Sequence, residues 1–153
     1  MAIALAVGVA RADDWAGAVK VLASYDNPDP TLAEVNVTVD VVYDTPGSKG
    51  LAWGTMSYQR RAQAGVPQLE LYYHALCVGR WNSGNNYSVA GVLVKAVGTG
   101  PATNYMTFEF DVGGKKWRTF GSAGATEADA RATCDKQSGL FPGTFNHGYV
   151  IAK

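Results

Sequence analysis

The 153-residue chain is short of charge: 13 basic and 13 acidic side chains, 17% of the residues, cancel to a formal net charge of zero. That balance argues against a nucleic-acid partner, because displacing counterions from phosphate needs a basic face. No run of five like charges occurs, which removes a polybasic membrane patch. No apolar run reaches the ~20 residues of a membrane span. There are only two cysteines, Cys77 and Cys134, with no CxxC and no histidine at ligand spacing, so no metal site is expected. The only imidazoles are His74 and His147. Walker A, G-x-G-x-x-G, G-x-S-x-G and HExxH patterns are all missing, and nothing calls for a cofactor.

What is abundant is glycine (18), tyrosine (8) and tryptophan (4), on a length that fits one domain with a proper core. Low charge with this enrichment points to an exported β-rich protein. Residues 2 to 10, AIALAVGVA, support two readings. Small residues at Ala10 and Ala12 before Asp13-Asp14 resemble the end of a signal peptide cleaved after Ala12. Yet no basic residue precedes the run, and Ile3, Leu5, Val7 and Val9 alternate with small residues, as in an added or donated strand. Residues 1–12 are therefore set apart from a β domain over 13–153. In an oxidising compartment Cys77 and Cys134 would pair, tying a strand to a short helix.

Alternation is cleanest at Val35 to Tyr43, where Val35, Val37, Val39 and Val41 face one way and Asn36, Thr38 and Asp40 the other. Asp26 to Pro30 and Thr45 to Ser48 are turn clusters on either side. Further strands are expected at 51–60, 69–78, 87–97, 105–112, 116–120 and 148–151, with Gly113-Gly114 making a tight hairpin. The segment 13–25 suits either a helix or a strand, and the strand with Val19, Val21 and Ala23 on one side is favoured. Thr126 with Asp129 forms a capping-box pattern ahead of an Ala-rich stretch, so one short helix is expected near 127–136. The fold expected is all-β, a single-domain antiparallel β-sandwich or small β-barrel.

Strand alternation puts His74 with Glu70, Tyr72, Leu76 and Val78, opposite Cys77, which argues against a Cys–His dyad. Glu109 and Asp111 share one face of 105–112, about 7 Å apart, a spacing open to acid–base chemistry; a solvated outer face explains them more simply. Aromatics are more suggestive. In the loop Arg80 to Tyr87, Trp81 and Tyr87 offer flat platforms for a sugar, and Asn82, Asn85 and Asn86 offer directional hydrogen bonds; Trp53 joins them as a binding candidate. A competing account folds Trp81 back over the end of the sheet. Asn36 and Asn86 head glycosylation sequons that matter only in a eukaryotic secretory host.

The order GTMSYQ, QLELYYHA, YSVAGVLVKAVG, YMTFEFDVGGK and HGYVIAK, over residues 51 to 153, resembles small β-rich accessory domains of secreted bacterial proteins. These are strand patterns, so the resemblance implies an exported, non-catalytic module and carries over no functional residue. The reading is a secreted or extracytoplasmic recognition module for glycan or another extracellular polymer. Its alternatives are a self-associating subunit of a fibre or coat using the N-terminal strand, and a small barrel enzyme using His74 with Tyr72 or Glu70.

Overall fold

A computed structural model describes residues 15–25, 35–62, 65–81, 84–100, 102–112, 116–121, 126–136, 143–144 and 147–153. Its strands are β1 (Gly17–Tyr25), β2 (Val35–Tyr43), β3 (Ala52–Arg60), β4 (Leu69–Trp81), β5 (Asn86–Gly98), β6 (Tyr105–Asp111), β7 (Lys116–Gly121), β8 (Gly143–Thr144) and β9 (His147–Ala152). They form one antiparallel sheet in the order β8-β7-β6-β5-β4-β3-β2-β1-β9. This is a meander whose last strand returns to the first. The expected all-β class is observed, as a single curled half-barrel with one short helix. The AIALAVGVA run and the turns at 26–30 and 113–114 lie outside the described residues.

The curl follows from alternation. Val19, Val21, Val37, Val39, Val41, Tyr43, Met56, Leu71, Tyr73, Val89, Phe108 and Phe110 come from the concave side of six strands and are buried together. One dry face per strand can be covered only by rolling the sheet onto itself, and a twisted meander rolls without any crossover. β8 pairs with β7 and β9 with β1, at opposite ends of the strand order, yet only two residues separate them. Three Cα steps hold Thr144 and His147 within about 11 Å, but among the described residues no ladder joins β8 to β9.

Two bulges set which side chains face out. The β4–β5 register shifts between Tyr72 and Tyr73 and again between Ala75 and Cys77. The second shift puts Val78 in the interior and Cys77 on the convex side, in a separate small cluster with Ala90 and Cys134. The alternation that joined His74 with Val78 and opposed it to Cys77 is thereby corrected. An extra residue on one strand flips every later side chain.

The helix α1 (Glu127–Ala132), continued by a 3₁₀ turn at Thr133–Asp135, lies on the convex side of β4–β6. Its seat is made of small residues. A Cβ on Gly79 would collide with the Cys134 carbonyl, the Ser88 hydroxyl and the Trp81 ring, so only glycine allows this approach. Cys77 and Cys134 are disulfide-bonded, with Cα atoms 6.3 Å apart. Arg131 adds a clamp, donating from Nη1 to the carbonyls of Leu76 (3.0 Å) and Gly50 (3.2 Å) while Nε pairs with Glu127 (2.8 Å). The Thr107 and Thr133 hydroxyls meet at 2.8 Å. Asp135 accepts from the Ser48 amide at 2.8 Å, tying the β2–β3 loop to the same turn.

The capping box is present: Asp129 N–H donates to Thr126 Oγ1 (3.2 Å), and Thr126 N–H donates to Asp129 Oδ2 (2.9 Å). These bonds from the Thr126 backbone and hydroxyl hold the Asp129 carboxyl below its ordinary range. A folded pKa below the unfolded one means that the contribution is present at neutral pH. It is lost as acidification passes the folded value. Thr126→Ala should destabilise by about 1 kcal/mol in urea unfolding, and that difference from wild type should shrink at low pH. A pH-independent difference would show that the 2.8 Å bond from the Thr126 hydroxyl to the Asp129 carboxylate carries nothing.

Candidate functional site

The helix covers only part of the convex face. The remainder, over β3, β4 and the adjoining ends of β2 and β5, is open and built by register. Cross-strand neighbours are Thr55 with His74, Ser57 with Tyr72, Gln59 with Glu70, and Tyr72 with Lys95. Trp53 is 73% exposed, an unusual state for so large an apolar ring. It stacks nearly parallel to the exposed His74 ring, with centroids 6.5 Å apart and an interplanar angle of 15°. One diagonal step separates them across β3–β4, which is within reach of aromatic side chains.

Beside this platform runs a row of hydrogen bonds. Tyr72 Oη donates to Glu70 Oε2 at 2.7 Å, Gln68 Nε2 donates to Glu70 Oε1 at 2.7 Å, and Gln59 Nε2 reaches Tyr72 Oη at 3.4 Å. Lys95 Nζ stands 5.8 Å from the Tyr72 ring centroid, a cation–π distance. Thr38 and Ser57 hydroxyls meet at 2.6 Å behind the row. The Tyr72 hydroxyl and the Gln68 amide hold the Glu70 carboxyl below its ordinary range, and the same bond to Glu70 pushes the Tyr72 phenol up. Glu70 is therefore a standing acceptor, and Tyr72 keeps its proton. Both shifts run against acid–base work at neutral pH, which needs a carboxyl raised or a phenol lowered.

The other expected binding residues fare differently. Arg80 and Trp81 belong to β4, Asn86 and Tyr87 to β5, and they pair as Arg80 with Tyr87 and Trp81 with Asn86. The supposed loop is thus mostly hairpin. Tyr87 is 2% exposed and sits in the interior, where its hydroxyl is hydrogen-bonded to that of Tyr43. Burial and that neighbour push the Tyr43 phenol up. Neither Tyr87 nor the buried Asn86 can serve as a ligand platform, and burial also withdraws Asn86 as a glycosylation acceptor. Trp81 is half-buried and leans back over Gly79, as the competing account of it expected. Asn85 is exposed at the hairpin turn, and Asn82 lies outside the described residues.

Glu109 also departs from expectation. It is 1% exposed, not solvated, because its face of β6 is the one beneath α1 and the 3₁₀ turn. Asp111, at the end of the strand, is half-buried. Sequence reasoning missed Gln59, Gln68, Lys95 and Thr55, whose proximity depends on the β3–β4–β5 register. The available signal was the polar face of LAWGTMSYQR and LELYYHALCV, two neighbouring strands with alternating polar residues.

Among the described residues no cluster of metal-ligating side chains occurs, and no helix is long and apolar enough to cross a membrane. Compared with protein-family models, with curated proteins and with solved structures, the chain matches none of them.

Proposed function

We propose that this protein is an exported, non-catalytic recognition module that binds glycan or a related extracellular polymer on the open convex face of β3 and β4. The observation that carries the reading is Trp53, 73% exposed and stacked on His74 beside a prearranged polar row. A flat ring in water has lost burial it could have had; a sugar face laid on it restores that burial while Gln59, Gln68, Glu70 and Lys95 supply directional partners at the rim. Export is supported by the disulfide, since such bonds persist in oxidising compartments.

Catalysis gains no support from this face. Glu70 and Tyr72 are locked to each other in the protonation states least useful for proton transfer. Among the described residues the interior is filled by bulky side chains such as Tyr43, Tyr73, Met56 and Phe108.

Glycan-array binding followed by titration of tryptophan fluorescence with soluble polysaccharide tests the reading. Trp53→Ala should weaken binding about tenfold or more, since a stacked ring contributes roughly 1 kcal/mol beyond its buried area. No array hit together with unchanged fluorescence removes the glycan ligand. Undiminished binding by the Trp53→Ala protein moves the site elsewhere.

A further inference from the structure

Among the described residues β9 ends the sheet, pairing with β1 on one side only. The directions of its backbone groups can be read off. Ala18 and Lys153 exchange both of their hydrogen bonds at 3.0 Å, and antiparallel ladders alternate bonded and non-bonded pairs. Ile151 and Tyr149, opposite Lys20 and Leu22, therefore bond to β1 as well. The amides and carbonyls of Gly148, Val150 and Ala152 point the other way, along the outer edge.

Edge strands in natural proteins are blunted by charge, proline or shortness. β9, HGYVIA, carries no Lys, Arg, Asp, Glu or Pro over its six residues. It instead exposes Tyr149 (43%) and Ile151 (47%), with Leu22 (49%) next to Tyr149 on β1. We infer that this edge is an interface with a second copy of the chain, in which two β9 strands pair antiparallel about a two-fold axis at Val150.

That register is self-complementary. It sets Val150 against its own copy and Gly148 against Ala152 of the second copy, so the outward backbone groups all find partners. On the convex face it sets Tyr149 opposite Ile151 of the second copy, the aromatic–β-branched pairing that stabilises antiparallel strands. A shift by one residue would leave the outward amides facing backbone already bonded to β1, so the pairing has a defined register. Lys153 falls at the rim, and Lys20, opposite Ile151 on β1, is paired with Asp40 of β2 at 3.5 Å. A contact of two short strands covers less than the ~1,200–2,000 Å² of stable interfaces, so the dimer is concentration-dependent.

Sedimentation equilibrium on the full 153-residue chain across a wide concentration range tests this, with hydrogen exchange on the same samples. A monomer–dimer equilibrium is expected, with Val150 and Ala152 amides gaining protection as concentration rises, while Tyr149 and Ile151 amides are protected throughout. Tyr149→Lys should shift the equilibrium to monomer with an unchanged far-ultraviolet spectrum. Val150→Pro, which removes an outward amide and leaves the β1 bonds, should do the same. A monomer at every concentration overturns the inference. So does concentration-independent protection of Val150 and Ala152, which would mean that the chain's own segment covers the edge. Dimers that persist in both variants but vanish when residues 1–12 are deleted also overturn it, in favour of strand donation.

Discussion

Removing the Cys77–Cys134 bond, by Cys77→Ser with Cys134→Ser or by reduction, is expected to lower stability by about 4 kcal/mol. That is the chain-entropy value for closing a loop of 57 residues. The sheet's interior does not include α1: Ala130 and Cys134 are its buried apolar contributions, and neither belongs to the main core. A six-residue helix is too short to persist alone. Without the staple it is held by Arg131, the Thr107–Thr133 contact and Asp135, each a bond whose net worth is about 1 kcal/mol. Hydrogen exchange should therefore rise first over Glu127–Asp135, with β1–β3 following only at global unfolding. A midpoint change worth less than about 1 kcal/mol in urea would mean that the polar clamp alone seats the helix.

Phe108→Ala is expected to cost about 3–5 kcal/mol, a large part of the ~5–15 kcal/mol that holds a typical domain folded. Phe108 is fully buried on β6 and makes edge contacts with Tyr73 of β4 (centroids 6.4 Å, 73°) and Phe110 (6.2 Å, 85°). Truncation loses the transfer energy of the ring and leaves a cavity between strands fixed by their ladders, so little relaxation can fill it. Two ring–ring contacts go with it, each worth about 0.5–1.5 kcal/mol. Phe108→Leu, which keeps much of the volume, should recover most of the loss. A cost under about 1.5 kcal/mol for the alanine variant in chemical denaturation would show that this interior is loosely filled.

These two sites differ in what made them readable. Phe108 could be placed inside from YMTFEFDV alone, because a single amphipathic strand has only two faces and one is plainly apolar. The same holds for Val35 to Tyr43, and for the segment 17–25 once Val19, Val21 and Ala23 are taken as one face. The capping box was legible as well, since its hydrogen bonds span three residues and depend on no distant partner.

Relations between strands were not legible in this way. The second of the two shifts in the β4–β5 pairing exchanges the faces of Cys77 and Val78, and nothing in LELYYHALCV marks where the additional residue falls. Glu109 looked solvated because its strand was read alone; the helix that buries it arrives from eighteen or more residues later. Tyr87 looked like a loop aromatic, until the hairpin register carried it into the core against Tyr43.

The sequence by itself determined the all-β class, the single short helix, the cysteine pair and the inward face of most strands. Those follow from local periodicity, capping chemistry and composition, which act over a few residues. Only the tertiary structure decided that the sheet curls on itself, that Trp53 stands in the open against His74, and that Glu70, Tyr72, Gln59 and Lys95 form one row. Each of these depends on register between strands and on which faces α1 covers. Those are set by the packing of the whole sheet, because a shift of one residue exchanges the faces of an entire strand.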